Sequence, residues 1–148
     1  MRRTVTALLR VIAIAILMVS VSRADTVGGE AFKVIVNPDN PITTVDRGTL
    51  RDLYLKKTID WSDGTSSVPV DLSTRFPSRD QFTQQVLGKT AAQLKTYWNQ
   101  QIFSGKGVPP AEADSTADMI AYVLANRGAV GYLPADVDPG RAKVVQVK

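Results

Sequence analysis

The 148-residue chain contains no cysteine and no histidine. Those two absences exclude disulfides, thiolate nucleophiles, zinc sites of the Cys/His type and a Ser-His-Asp triad. Lipid attachment through a cysteine is excluded as well. Acidic residues are also missing from the first 24 positions, which carry four arginines (Arg2, Arg3, Arg10, Arg23). All 14 Asp and Glu lie beyond that point, where 14 Lys and Arg balance them. The pI near 9.5 therefore belongs to the leader, and a neutral remainder without a basic run gives no nucleic-acid surface.

What is present at the start has the pattern of a secretory signal peptide. Arg2 and Arg3 form a charged beginning, and Val11 to Val21 is an apolar run broken only by Ser20. Ser22 and Ala24 then supply small residues at the recognition positions before Asp25. The run is too short to cross a hydrocarbon core, which needs roughly 20 apolar residues. The expectation is cleavage after Ala24, a periplasmic or secreted product, and one domain over 25–148.

Along that domain, Phe32 to Val36 reads as a strand ended by Asn37-Pro38-Asp39-Asn40-Pro41. Asp46 is placed to cap a short helix with Leu50, Leu53 and Tyr54 on one face. Trp61-Ser62-Asp63-Gly64 is a turn leading to a second strand, Val68 to Leu72, with Pro69 near its start or on an edge. Three helices follow. Ser78 with Gln81, and Thr90 with Gln93, form capping-box patterns ahead of apolar runs that end at Gly88 and Gly105. Asp114 or Ser115 starts the third, with Ala117, Ile120, Ala121 and Leu124 on one face. Ala129 to Leu133 and Val144 to Val147 read as closing strands, which makes the whole an α/β pattern.

The segment Ser73-Thr74-Arg75-Phe76-Pro77-Ser78-Arg79 concentrates hydroxyls and guanidiniums between a strand end and a helix N-terminus. Backbone N–H groups and the helix dipole favour an anion there, and arginine adds bidentate hydrogen bonds. The candidate ligand-binding residues are Ser73, Thr74, Arg75, Ser78 and Arg79. The competing reading makes Ser78 a simple N-cap and pairs the arginines with Asp71 and Asp80 on a solvated surface. Tyr54 and Trp98 fall on apolar helix faces and are expected in the core. Asp60 and Asp63 flank Trp61 as paired carboxylates, but the turn itself accounts for Asp63. No nucleophile–base pair assembles from these residues, so no enzyme and no cofactor are expected.

Several segments, taken in order, resemble the phosphate-binding proteins of ABC transporters, members of the type 2 periplasmic binding protein superfamily. They are Val36-Asn37-Pro38, Leu50 to Lys57, Trp61 to Gly64, Val68 to Asp71, Phe82, Val86 to Lys89, Tyr97-Trp98, Ile102 to Lys106, Pro109-Pro110 and, most specifically, Gly128-Ala129-Val130-Gly131-Tyr132. The resemblance implies a single lobe of a normally two-lobed protein, with a mixed sheet flanked by helices. It further implies a non-catalytic, secreted solute-binding module with inorganic phosphate or another oxyanion as ligand, and a membrane transporter or other protein as partner. In that family the equivalent lobe offers phosphate a loop of the type Arg-Ser-Asp-Gly-Ser-Gly-Thr. Here Leu72 stands at the family's arginine, and Arg75 and Pro77 stand at its glycines. Pro77 has no N–H to donate. Oxyanion binding is accordingly expected to be weak, and the alternative is a ligand-free interaction or assembly module that presents its former cleft face to a protein partner or a second copy.

Overall fold

A computed structural model describes residues 31–148; the expected leader, 1–24, lies outside the described residues. Ten elements follow in order: β1 (Phe32–Val36), β2 (Thr44–Val45), α1 (Arg47–Tyr54), β3 (Val68–Leu72), α2 (Pro77–Gln85), α3 (Ala91–Phe103), β4 (Ala111–Ala113), α4 (Thr116–Ala125), β5 (Ala129–Pro134) and β6 (Lys143–Val147). The strands form one sheet in the order β2-β6-β1-β5-β3-β4. β1 lies antiparallel to β5 and β6, while β3 runs parallel to β4 and β5, and β2 parallel to β6. β1 thus runs against the other five, giving the mixed sheet flanked by helices that the resemblance implies.

Side-chain alternation along the strands separates two packed faces. On one, Phe32, Tyr54, Phe82 and Tyr132 form an aromatic cluster in which the Phe82 and Tyr132 rings stack at 4.0 Å. This cluster holds α1 and α2 against the sheet. On the other face, α4 buries Met119 and Val123 against β5. The expected α4 face is corrected here: Ala117 and Ala121 are exposed. Met119 and Val123 instead pack over Gly131, where an added Cβ would stand 2.3 Å from the Met119 sulfur.

The short signals in the sequence become specific clamps. Asn37 is buried, and its amide donates to the Val123 and Leu124 carbonyls at 3.1 and 3.0 Å. It thereby helps satisfy the terminal carbonyls of α4, of which Val123 also accepts from the Asn126 N–H at 3.4 Å. Asp46 caps α1 by accepting from the Thr49 N–H, and Ser115 caps α4 by accepting from Asp118. Thr90 and Gln93 form the reciprocal box expected at α3. At the other end of α3, Gly105 takes φ 67°. That conformation lets the Lys106 N–H reach the Gln101 carbonyl at 2.9 Å and the Gly105 N–H reach Ile102 at 3.1 Å, a Schellman closure.

Pro69 is tolerated for a geometric reason. The Val68 N–H is directed to Gly128 on the β5 side, and N–H groups alternate along a strand. The missing donor of Pro69 therefore faces the β4 side, where pairing begins only at Val70. Trp61 is buried at 4 % exposure, with its indole N–H donating to the Gly128 carbonyl at 2.9 Å. Asp63 serves the turn by accepting from the Thr65 N–H and hydroxyl, and Asp60 accepts from Ser66.

Gly128 is the tightest backbone approach in this region: a Cβ there would lie 1.9 Å from the Ser66 carbonyl oxygen. Gly128→Ala is expected to destabilise by about 1–3 kcal/mol, the cost of forcing extra volume into a packed site. Gly107→Ala, which would meet open space, is the control. Urea unfolding of the two variants compares them, and equal stabilities would contradict the packing described.

Candidate functional site

β3 ends inside a cleft of about 440 Å³ enclosed by the β3–α2 loop, α2, α3 and the approach to β4. The local order of the chain explains the opening. α2 crosses back over the sheet on Phe82, α3 packs beyond it, and the Pro109-Pro110 connector delivers the short edge strand β4 beside β3. Leu94, Trp98, Ile102 and the two prolines supply apolar walls. Trp98 is buried as expected, at 7 %, whereas Ile102 of the same stripe is half exposed and lines the cleft.

The polar centre of the cleft is Asp71. It lies in β3, directly paired with Glu112 of β4, so both side chains point to the same face. Asp71 is only 5 % exposed. Its Oδ2 lies 3.1 Å from Arg79 Nη2, and its Oδ1 accepts from the Tyr132 hydroxyl. Arg79 continues to Glu112 at 3.3 Å and donates to the Leu72 carbonyl. Burial, opposed by Arg79 and the Tyr132 hydrogen bond, pushes the Asp71 pKa up to about 6. Burial and then the Asp71 charge push Tyr132 well above the usual tyrosine range.

The five residues expected to bind a ligand divide into two groups. Thr74 and Arg75 are exposed, Thr74 on the cleft wall. Arg75 donates to the Asp114 carbonyl at 2.9 Å and stands 4.0 Å from its carboxylate, with both side chains largely in solvent. Ser73 and Ser78 are buried, and Arg79 is committed to internal acceptors. The solvated pairing of Arg79 with Asp71 and Asp80 is therefore corrected to a mostly buried bridge between Asp71 and Glu112.

Ser78 does not cap α2. The helix begins at Pro77, with Phe76 at the N-cap and no side-chain cap hydrogen bond. Proline suits the first helical position, where its missing N–H costs nothing. That places Ser78 inside the first turn, where it cannot accept from the third residue. Its hydroxyl is buried without a hydrogen-bond partner. Gly88 nonetheless takes the left-handed conformation expected of it, at φ 64°.

Glu112 and Lys95, which complete the charge pattern of the cleft, were not singled out by the sequence. Glu112 lies on a three-residue strand with no alternation to read, and Lys95 stands on an exposed helix face. Among the described residues no group of three or more acidic, histidine or cysteine side chains could hold a metal ion. None of the helices there is long and apolar enough to cross a membrane.

The fold and cleft define a single α/β lobe of the periplasmic-binding-protein type. No protein-family model matches the sequence, and no curated protein matches it. Solved structures do. One is a Clostridium perfringens protein with bound phosphate, described as a phosphate ABC transporter substrate-binding protein (TM-score 0.61, 22 % identity, covering 79 % of this chain and 44 % of that one). Another is an ABC-type phosphate transport receptor from Vibrio cholerae (0.59, 21 %, 79 % and 46 %). A third is PstS from Borrelia burgdorferi (0.59, 12 %, 80 % and 47 %). The chain has the fold of these phosphate transport proteins and spans less than half the length of each.

Because the Ser78 hydroxyl is buried and unpaired, Ser78→Ala is expected to leave stability unchanged or raise it by up to about 1 kcal/mol, since the desolvated group is removed. A loss of about 1 kcal/mol in thermal or urea unfolding would instead restore the capping role.

Proposed function

We propose that this chain is an exported, non-catalytic solute-binding-type module. It takes an oxyanion such as phosphate weakly on the β3–α2 loop, with a membrane transporter as partner. The leader 1–24 would direct export, with cleavage after Ala24. The observation that carries this reading is the position of Arg75 and Thr74. Both are exposed at the C-terminal end of a sheet strand, the place where open α/β sheets receive ligands, and the fold is that of proteins including one solved with phosphate.

In this reading the five candidates have unequal roles. Arg75 supplies the usable charge and Thr74 a hydroxyl, while Ser73, Ser78 and Arg79 shape the loop from beneath. Weakness follows from two facts. Arg75 is shared with Asp114, and an ion on one open lobe stays solvated and screened by salt.

Titration calorimetry of the full-length chain with phosphate and sulfate at low ionic strength is the test. Weak binding that falls steeply with added salt is expected. Arg75→Ala should abolish it while costing less than about 1 kcal/mol of stability, as exposed charges do. Binding that survives Arg75→Ala would place the site elsewhere, and absence of oxyanion binding in the unmutated chain would contradict the reading.

A further inference from the structure

The cleft beside the loop has chemistry that a free oxyanion does not use. At about 440 Å³ it falls within the range of small-molecule sites and is far larger than a tetrahedral ion requires. Its walls are apolar, with Leu94, Trp98, Ile102 and Pro110 facing the space. The charges that face it are Asp71, Asp80 and Glu112 against Arg79 and Lys95, an excess of one carboxylate. Asp71 and Arg79 neutralise each other at 3.1 Å. Glu112 engages Arg79 through one oxygen, at 3.3 Å, and remains about half exposed. Asp80 is exposed in the first turn of α2.

We propose that the cleft between α2, α3 and β4 binds a small organic cation, its apolar or aromatic body against Trp98 and Ile102 and its ammonium group at Glu112 and Asp80. The charge complementarity decides the sign. An anion entering here meets three carboxylates against Lys95 and an already paired guanidinium, whereas a cation meets the one carboxylate in excess. The indole of Trp98 adds an attractive surface for the cation or its body. This site does not depend on the loop reading, whose charge is Arg75 outside the cleft lining; Thr74 borders both.

Four probes test the proposal on the full-length chain by titration calorimetry: phenethylammonium, 3-phenylpropionate, methylammonium and inorganic phosphate. Phenethylammonium should bind saturably in the millimolar range or below. The carboxylate with the same ring should bind at least about tenfold more weakly, and methylammonium, which lacks the body, should not saturate. Glu112→Gln combined with Asp80→Asn should weaken the amine by about fivefold, equivalent to ~1 kcal/mol. Arg79 keeps Asp71 in that variant, and its melting curve verifies the fold. Ile102→Ser, at a half-exposed position, should weaken the amine without loss of structure. Phosphate should not displace the amine. Equal or tighter binding of 3-phenylpropionate, or no saturable binding of phenethylammonium, overturns the proposal. Phosphate binding in the same chain is judged separately, so either reading can fail alone.

Discussion

The bridge between Asp71 and Arg79 under the Tyr132 hydroxyl governs the functional end of the molecule. Taking a carboxylate and a guanidinium out of water costs several kcal/mol per ion unless geometry and further hydrogen bonds repay it. Here the repayment is distributed: Tyr132 serves one carboxylate oxygen, Arg79 Nη2 the other, and Leu72 and Glu112 accept from Nη1. The same contacts fix where α2 leaves β3 and hold β4 at the edge of the sheet. The bridge also removes Arg79 from the pool of charges that a solute could use, so the loop offers one working arginine where the sequence displays two.

That trade distinguishes this lobe from what the order of its motifs implies. The fold accords with phosphate transport proteins across most of the chain, yet Leu72, Arg75 and Pro77 stand where the resemblance implies an arginine and two glycines. Pro77 starts α2, and Ser78 behind it is buried. The space beside the loop is apolar and carries an excess of carboxylates. Fold therefore establishes the scaffold, and the chemistry of the site has to be argued from the side chains that line it.

Much of the scaffold was legible because it follows from local rules. Thr90 with Gln93, Asp46 before its helix and Ser115 before α4 all cap as their spacing requires, and Val68 to Leu72 appears as a strand with the expected bounds. Two strands were not legible: β2 and β4 have two and three residues, too few for any period, and exist because a neighbouring strand offers an edge. The site was only half legible. Asp71 has apolar neighbours on both sides, which signals a buried strand, but the charge that neutralises it comes from Arg79 and its hydrogen bond from Tyr132, 61 positions away. Ser78 matched a capping pattern that Pro77 pre-empted by starting the helix two residues earlier. Met119 and Val123 of α4 pack over Gly131, whose absent side chain gives no hydrophobic signal at all.

Asp71 holds Arg79 at 3.1 Å and so withdraws it from ligand binding. A double-mutant cycle measures this directly, with unfolding free energies for Asp71→Asn, Arg79→Gln and the double variant. Each single change strands a buried polar partner, so the double variant should cost less than the sum of the two by at least about 1 kcal/mol. Free energies that add to within about 0.5 kcal/mol would show the two groups to be independent and would contradict the account.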